Sequence, residues 1–264
     1  MRHITYLVLT AVVLMPCVSL GQSVCELTEP DYTRVLWIGP TASINYNLYR
    51  TVPFAYPNFD PPVIVVQNGK GIAPTFGIVV ERLLGYSNTS AIVFEAAYDS
   101  KSASFNSGSA KNVAIKSFPG PGSYDVATEL SAELSYLRLN IGYKINFHEA
   151  PSPSGPAAQL SLYIGLPLTS KILESVTLTS TDDRSDYIST TRTEIPNVEI
   201  IRLGIDGRFI WDIPLSPNVA FSPFVGMDYA FTKVDQSDKS WRAFSPYAGV
   251  AAHFAITFSE DYVL

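Results

Sequence analysis

The chain has 264 residues, with 18 lysines and arginines against 24 aspartates and glutamates, a net charge of −6 and a mean hydropathy of +0.15. Only 16% of residues are charged, well below the roughly 25% of an ordinary soluble domain, and the negative balance argues against nucleic acid as a partner. After residue 18 no apolar run approaches the 18 residues that a membrane helix needs, so apolar content this high has to be used in another way.

The first residues, "MRHITYLVLTAVVLMPCVSLGQS", combine a basic Arg2, an apolar run over 6–18 and small residues at Ser19 and Gly21. This is the grammar of a secretory signal peptide, residues 1–21, cut after Gly21. Neither Cys17 nor Cys25 follows the Leu-small-small pattern of a lipidated cysteine, which leaves Cys25 as a lone thiol after cleavage. The expected layout is a short periplasmic segment over 22–32, a barrel over 33–258 and a tail over 259–264.

From there the chain alternates apolar and polar residues in eight segments. "VLWIGPTASINYN" sets Leu36, Ile38 and Ile44 against Trp37, Gly39 and Thr41. "APTFGIVVERLL" sets Phe76, Ile78 and Val80 against Gly77, Val79 and Glu81, and "AIVFEAAYD" sets Ile92, Phe94 and Ala96 against Val93, Glu95 and Ala97. "YLRLNIGYKINF" carries Leu139, Ile141 and Tyr143 opposite Arg138, Asn140, Gly142 and Lys144. Its phase flips around Ser135 and Tyr136, which predicts a bulge or break. "QLSLYIGLPLTSKI" alternates Leu162 and Ile164 with Tyr163, Gly165 and Lys171, with Pro167 removing a ladder donor. "IIRLGIDGRFIWD" alternates Leu203 and Ile205 with Arg202, Asp206, Arg208 and Asp212. Finally, "FSPFVGMDYAF" and "FSPYAGVAAHF" repeat Phe-Ser-Pro-aromatic-x-Gly 23 residues apart. The first copy puts Val225 and Met227 on the apolar face and Asp228 on the other; the second puts Val250 and Phe254 on the apolar face.

The polar faces mix glycine, alanine and serine with charges, which suits a crowded lumen better than a solvated exterior. The apolar faces carry charge only at their margins, at Arg82, Glu174, Glu199 and Lys233. A mid-membrane Arg or Lys on a lipid-facing strand costs roughly 2–4 kcal/mol, which accounts for that vacancy. The connections run long over 48–72, short over 85–90, long over 100–128, middling over 150–158, long over 180–197, short over 214–218 and moderate over 235–242. That asymmetry fits outer loops, periplasmic turns and an even strand count. The fold expected is therefore all-β, an eight-stranded antiparallel up-and-down transmembrane β-barrel. A ten-stranded form, with "SASFNSG" and "KNVAIKSF" as a further hairpin, is the alternative.

"GPTASINYNLYRTVPF...YPNF", "IPNVEIIRLGIDGRFIWDIPLSPNVAFSPFVGMDY" and "FSPYAGVAAHFAITF" resemble the OmpA-like outer-membrane β-barrel domain family, of the porin-family small-barrel type. The resemblance covers roughly residues 33–258 and implies a bacterial outer-membrane location and insertion by the barrel assembly machinery. It carries no catalytic signature. The peptidoglycan-binding C-terminal domain of such proteins has no counterpart here, so wall anchoring is not implied.

The lumen so assigned holds Glu81, Glu95, Asp206, Asp212 and Asp228 against Arg138, Lys144, Lys171, Arg202 and Arg208. Buried charges need partners, so a salt-bridge network plugging the lumen is expected, with Arg138 and Arg208 at its centres. The competing reading is a set of separately hydrated side chains or a small pore. Acyl chemistry would need a histidine beside a serine nucleophile. His148 lies at a strand end, and His253 points inward without such a serine, so neither an enzyme nor a cofactor is expected. Metal clusters, Gly-x-Ser-x-Gly and phosphate loops are absent from the sequence. The long loops, "YRTVPFAYPNFDPP", "SKSASFNSGSAKNVAIKSFPGPGSYD" and "STDDRSDYISTTRTEIPN", are the candidate surface for an extracellular ligand. A soluble lipocalin-like carrier would place the apolar faces inside instead.

Overall fold

The computed structural model describes residues 34–50, 54–55, 65–66, 68–84, 89–105, 109–115, 122–148, 153–182, 186–195, 198–234 and 242–258. The signal segment, both cysteines, residues 22–32, the tail and most of the first long loop lie outside the described residues. The strands are β1 (Arg34–Arg50), β2 (Phe54–Ala55), β3 (Val65–Val66), β4 (Gly69–Leu84), β5 (Ser90–Ser100), β6 (Ala103–Phe105), β7 (Ser109–Ile115), β8 (Gly122–Asn146), β9 (Gly155–Ser180), β10 (Asp186–Glu194), β11 (Arg202–Ser216), β12 (Val219–Ala230) and β13 (Arg242–Phe258). Eight of them close a ring in the order β1, β4, β5, β8, β9, β11, β12, β13, each antiparallel to both neighbours, with β13 returning to β1.

The alternation in the sequence decides which face is which. Ile78, Phe94, Ile141, Val225 and Met227 stand on the outside, Ile141 with 54% of its surface exposed, while Glu81, Lys144, Asp206 and Asp228 are all but fully buried inside. This is the inverse of a soluble protein, and the lipocalin-like arrangement is excluded because it would reverse the two faces. The band is continuous across strands: Ile141 is opposite Phe94 on one side and Leu162 on the other, and Leu203 is opposite Ile164.

The repeated Phe-Ser-Pro-aromatic-x-Gly motif has a reciprocal geometry. In the β12–β13 ladder Phe224 lies directly opposite Gly249, and Gly226 directly opposite Tyr247. A Cβ on Gly249 would come within 2.6 Å of the Phe224 ring, and one on Gly226 within 2.6 Å of the Tyr247 ring. Each copy therefore supplies the glycine over which the other copy's aromatic ring lies, and the two rings meet edge to face at 6.0 Å. The prolines interrupt the ladder on one side only: pairing lapses between Ile210 and Ile213 beside Pro223, and between Asn45 and Leu48 beside Pro246. The serine before each proline spans that gap. Ser222 Oγ donates to Asp212 Oδ1 at 2.5 Å, and Ser245 Oγ donates to Asn47 Oδ1 at 2.9 Å.

Some expectations hold and others are corrected. The irregularity expected around Ser135 and Tyr136 is a bulge, a register shift between those two residues, while β8 itself runs unbroken from Gly122 to Asn146. The irregularity sits on the facing strand, where Ser135 pairs Thr169 but Tyr136 pairs Pro167, leaving one extra residue in β9. The hydrophobic phase changes because the lumen itself turns apolar there: Leu130, Ala132, Leu134 and Tyr136 point inward and pack with Tyr49, Phe105, Ile195 and Val234. The ten-stranded alternative is also set aside. Residues 103–105 and 109–115 do form strands, but β6 prolongs β5 onto β4 and β8, and β7 flanks β8, so the ring keeps eight members. The "loops" of the outer end are thus partly strand. β8 and β9 run on together past the ring, flanked by β7 and β10, as a protruding four-stranded sheet.

Candidate functional site

The lumen holds two clusters of charge. The larger contains Lys101, Arg138, Arg202 and Arg208 with Glu95, Asp99, Asp206 and Asp228, four cations against four anions. Asp228 is its hub, receiving Lys101 Nζ at 2.6 Å, Arg138 Nη1 at 3.2 Å and Arg202 Nη2 at 3.5 Å. Arg138 also reaches Asp206 at 2.6 Å, and Arg208 bridges Asp206 at 2.9 Å to Glu95 at 2.5 Å. Neutral donors add to the network: Tyr247 Oη donates to Asp206 at 2.6 Å, Asn140 Nδ2 to Glu95 at 2.9 Å and Thr75 Oγ1 to Asp99 at 2.8 Å. The guanidinium groups also lie over aromatic rings, Arg138 over Tyr163 at 4.3 Å and Arg202 over Tyr136 at 5.0 Å.

The second cluster lies nearer the short turns. Lys144 Nζ sits between Glu81 at 2.9 Å and Asp212 at 2.6 Å, and His253 Nδ1 is 4.0 Å from Glu81. A small cavity opens here among Thr41, Glu81, Lys144, Gln159, Arg208, Ser222 and His253.

Topology shows what these contacts do. In the ring, Lys101 follows β5 and Asp228 belongs to β12, four strands away in either direction. A 2.6 Å ion pair therefore links opposite walls of the ring. Beyond it, on the side of the protruding sheet, lies the apolar cluster around Leu134 and Tyr136.

Of the residues expected in the lumen, Glu81, Glu95, Arg138, Lys144, Arg202, Asp206, Arg208, Asp212 and Asp228 are all brought into these clusters. Lys171 is not. It is half-exposed on the protruding sheet, opposite Glu133 and Glu194 in register, because β9 continues well past the ring. Asp99, at the end of the "AIVFEAAYD" segment, was not counted among the lumen charges, and Lys101 escaped the sequence reading because "SKSASF" looks like a loop. Their odd numbering, in phase with Glu95 and Ala97, was the available signal, and Lys101 is wholly buried. His148 is an exposed residue just past the end of β8. Among the described residues no group of three or more His, Cys, Asp or Glu side chains is arranged to hold a metal.

No protein-family model matches the chain, and neither does any curated protein. Solved structures that resemble it are outer-membrane β-barrels. Neisserial surface protein A is 15% identical, with 82% of this chain and 95% of that one covered and a TM-score of 0.31. The attachment invasion locus protein of Yersinia pestis is 9% identical, with 84% and 100% covered and a TM-score of 0.31. The outer membrane protease OmpT from Escherichia coli is 8% identical, with 88% and 99% covered and a TM-score of 0.35. At these values no residue role passes from them to this chain.

Proposed function

We propose that the protein is an integral barrel of a bacterial outer membrane with a closed lumen and a structural or surface-interaction role, of the OmpA-like small-barrel type. It is exported by its signal peptide and inserted by the barrel assembly machinery. The observation that carries the reading is the wall-to-wall pairing of Lys101 with Asp228 inside a ring whose outer face is apolar. A conduit would leave its charges hydrated around a bore, whereas this lumen spends them on one another.

The interaction surface is the protruding sheet and its loops. Every residue of β10 is exposed, its outer edge pairs no strand among the described residues, and Tyr187 and Ile188 stand among serines and threonines of high strand propensity. Such an edge suits an extracellular protein ligand that adds a strand. Neither catalysis nor a cofactor forms part of the proposal.

The test is expression with the signal peptide in a host with an outer membrane, followed by comparison of boiled and unboiled membrane fractions on a denaturing gel. A fast-migrating, protease-resistant unboiled band is expected, and the purified protein should give no sustained large conductance in planar bilayers. A soluble product without the mobility shift would overturn the membrane reading; steady conductance would overturn the closed lumen.

A further inference from the structure

On the wall away from the protruding sheet, the outer ends of β1, β4 and β13 carry exposed cations on the lipid-facing side. Arg50 and Arg242 are direct cross-strand partners in the β1–β13 ladder. On the other side of β1, Lys70 is opposite Leu48, one diagonal step from Arg50. All three share the outward face with the apolar band, whose upper members there are Phe244, Tyr46 and Ile72.

Like charges directly opposite in an antiparallel pair repel, their Cβ atoms being only about 5 Å apart. Nothing among the described residues relieves that repulsion. Arg242 Nη1 donates to the Tyr229 hydroxyl at 3.4 Å, and the described outward faces of β1, β4, β12 and β13 hold no aspartate or glutamate at any level. Exposed cations of the protruding sheet are placed differently: Arg192 pairs with Glu133, and Lys171 has Glu133 and Glu194 opposite it. Three cations with no acidic partner among the described residues, immediately above a greasy band, are complementary to a ligand with acyl chains below and phosphates above.

We infer that Arg50, Arg242 and Lys70 form a docking site for the phosphate groups of a phosphorylated glycolipid of the outer leaflet. The two guanidinium groups fork onto one phosphate, and the lysine ammonium adds a third contact from the neighbouring strand. The acyl chains lie along Phe244, Tyr46 and Ile72. This inference rests on the outer-membrane reading.

The full chain, refolded into phosphatidylcholine nanodiscs and checked by the unboiled gel shift, would be titrated with bisphosphorylated lipid A, with dephosphorylated lipid A and with inorganic phosphate. Retained lipid would be scored by mass spectrometry of the intact complexes. Bisphosphorylated lipid A should be retained at least roughly tenfold more tightly than the dephosphorylated form. The preference should disappear in Arg50→Gln/Arg242→Gln and weaken in Lys70→Gln, while Arg82→Gln at the opposite rim leaves it unchanged. Equal retention of the two lipids by an inserted barrel, an unaltered preference in the double variant, or equally tight capture of inorganic phosphate would each overturn the site. Failure to insert at all would overturn the membrane reading along with it.

Discussion

Arg138 and Asp228 decide whether the lumen holds a network or a set of independently hydrated charges. They lie 3.2 Å apart and are almost completely buried, so at an effective dielectric of about 20 their direct attraction is roughly 5 kcal/mol. Arg138→Met removes a cation from three carboxylates and leaves the eight-charge cluster with an excess negative charge; Asp228→Asn leaves an excess positive one. Each single change should destabilise by about 3–5 kcal/mol, because the partners stay buried without compensation. The double variant restores neutrality and should cost little more than either single one, giving a coupling of about 3 kcal/mol. The assay is urea unfolding of the refolded barrel in phospholipid vesicles, followed by loss of the fast-migrating band. Single losses under about 1 kcal/mol that simply add would refute the network and return the hydrated reading.

Four further outcomes can be measured in the same assay or beside it. Lys101→Met should cost about 3–5 kcal/mol, although the residue sits in a serine-rich stretch that reads as loop, because Asp228 and Asp99 lose a buried cation at 2.6 and 3.3 Å. Lys144→Met should destabilise by at least as much, since it leaves Glu81 and Asp212 facing one another without a cation; an unchanged urea midpoint would contradict the geometry of the lower cluster. Ile141→Arg should cost about 2–4 kcal/mol in vesicles, and a loss near zero would place that face in water. Gly249→Ala should cost about 1–3 kcal/mol, because its Cβ would lie 2.4 Å from the Ala42 carbonyl oxygen and 2.6 Å from the Phe224 ring; a neutral result would contradict the reciprocal motif.

The lower half of the barrel was legible because each strand obeys a two-residue period with a chemically distinct face. Glu81, Glu95 and Lys144 could be assigned to the inside from their neighbours alone. Legibility failed where that contrast failed. Above Arg138 the lumen is lined by Leu134, Ala132 and Leu130, so the two faces of β8 lost their contrast, and the sequence there read as a bulge or a break without telling the two apart. Lys171 was assigned inward because its phase was counted straight through the extra residue opposite Tyr136. The cross-strand meeting of Arg50 with Arg242 lay beyond the sequence altogether, since the two are joined only by closure of the first strand on the last.

The sequence by itself determined the strand period and which residues share a face, because both follow from alternating polarity along a pleated chain; that eight strands rather than ten close the ring was decided by how β6 and β7 pair. Partnership was decided by the tertiary structure. That Asp228 would neutralise Lys101 across the bore, and that Gly226 would make room for Tyr247, depends on shear, register and ring closure. Those quantities are set by the whole set of inter-strand hydrogen bonds at once, so no local stretch of residues encodes them.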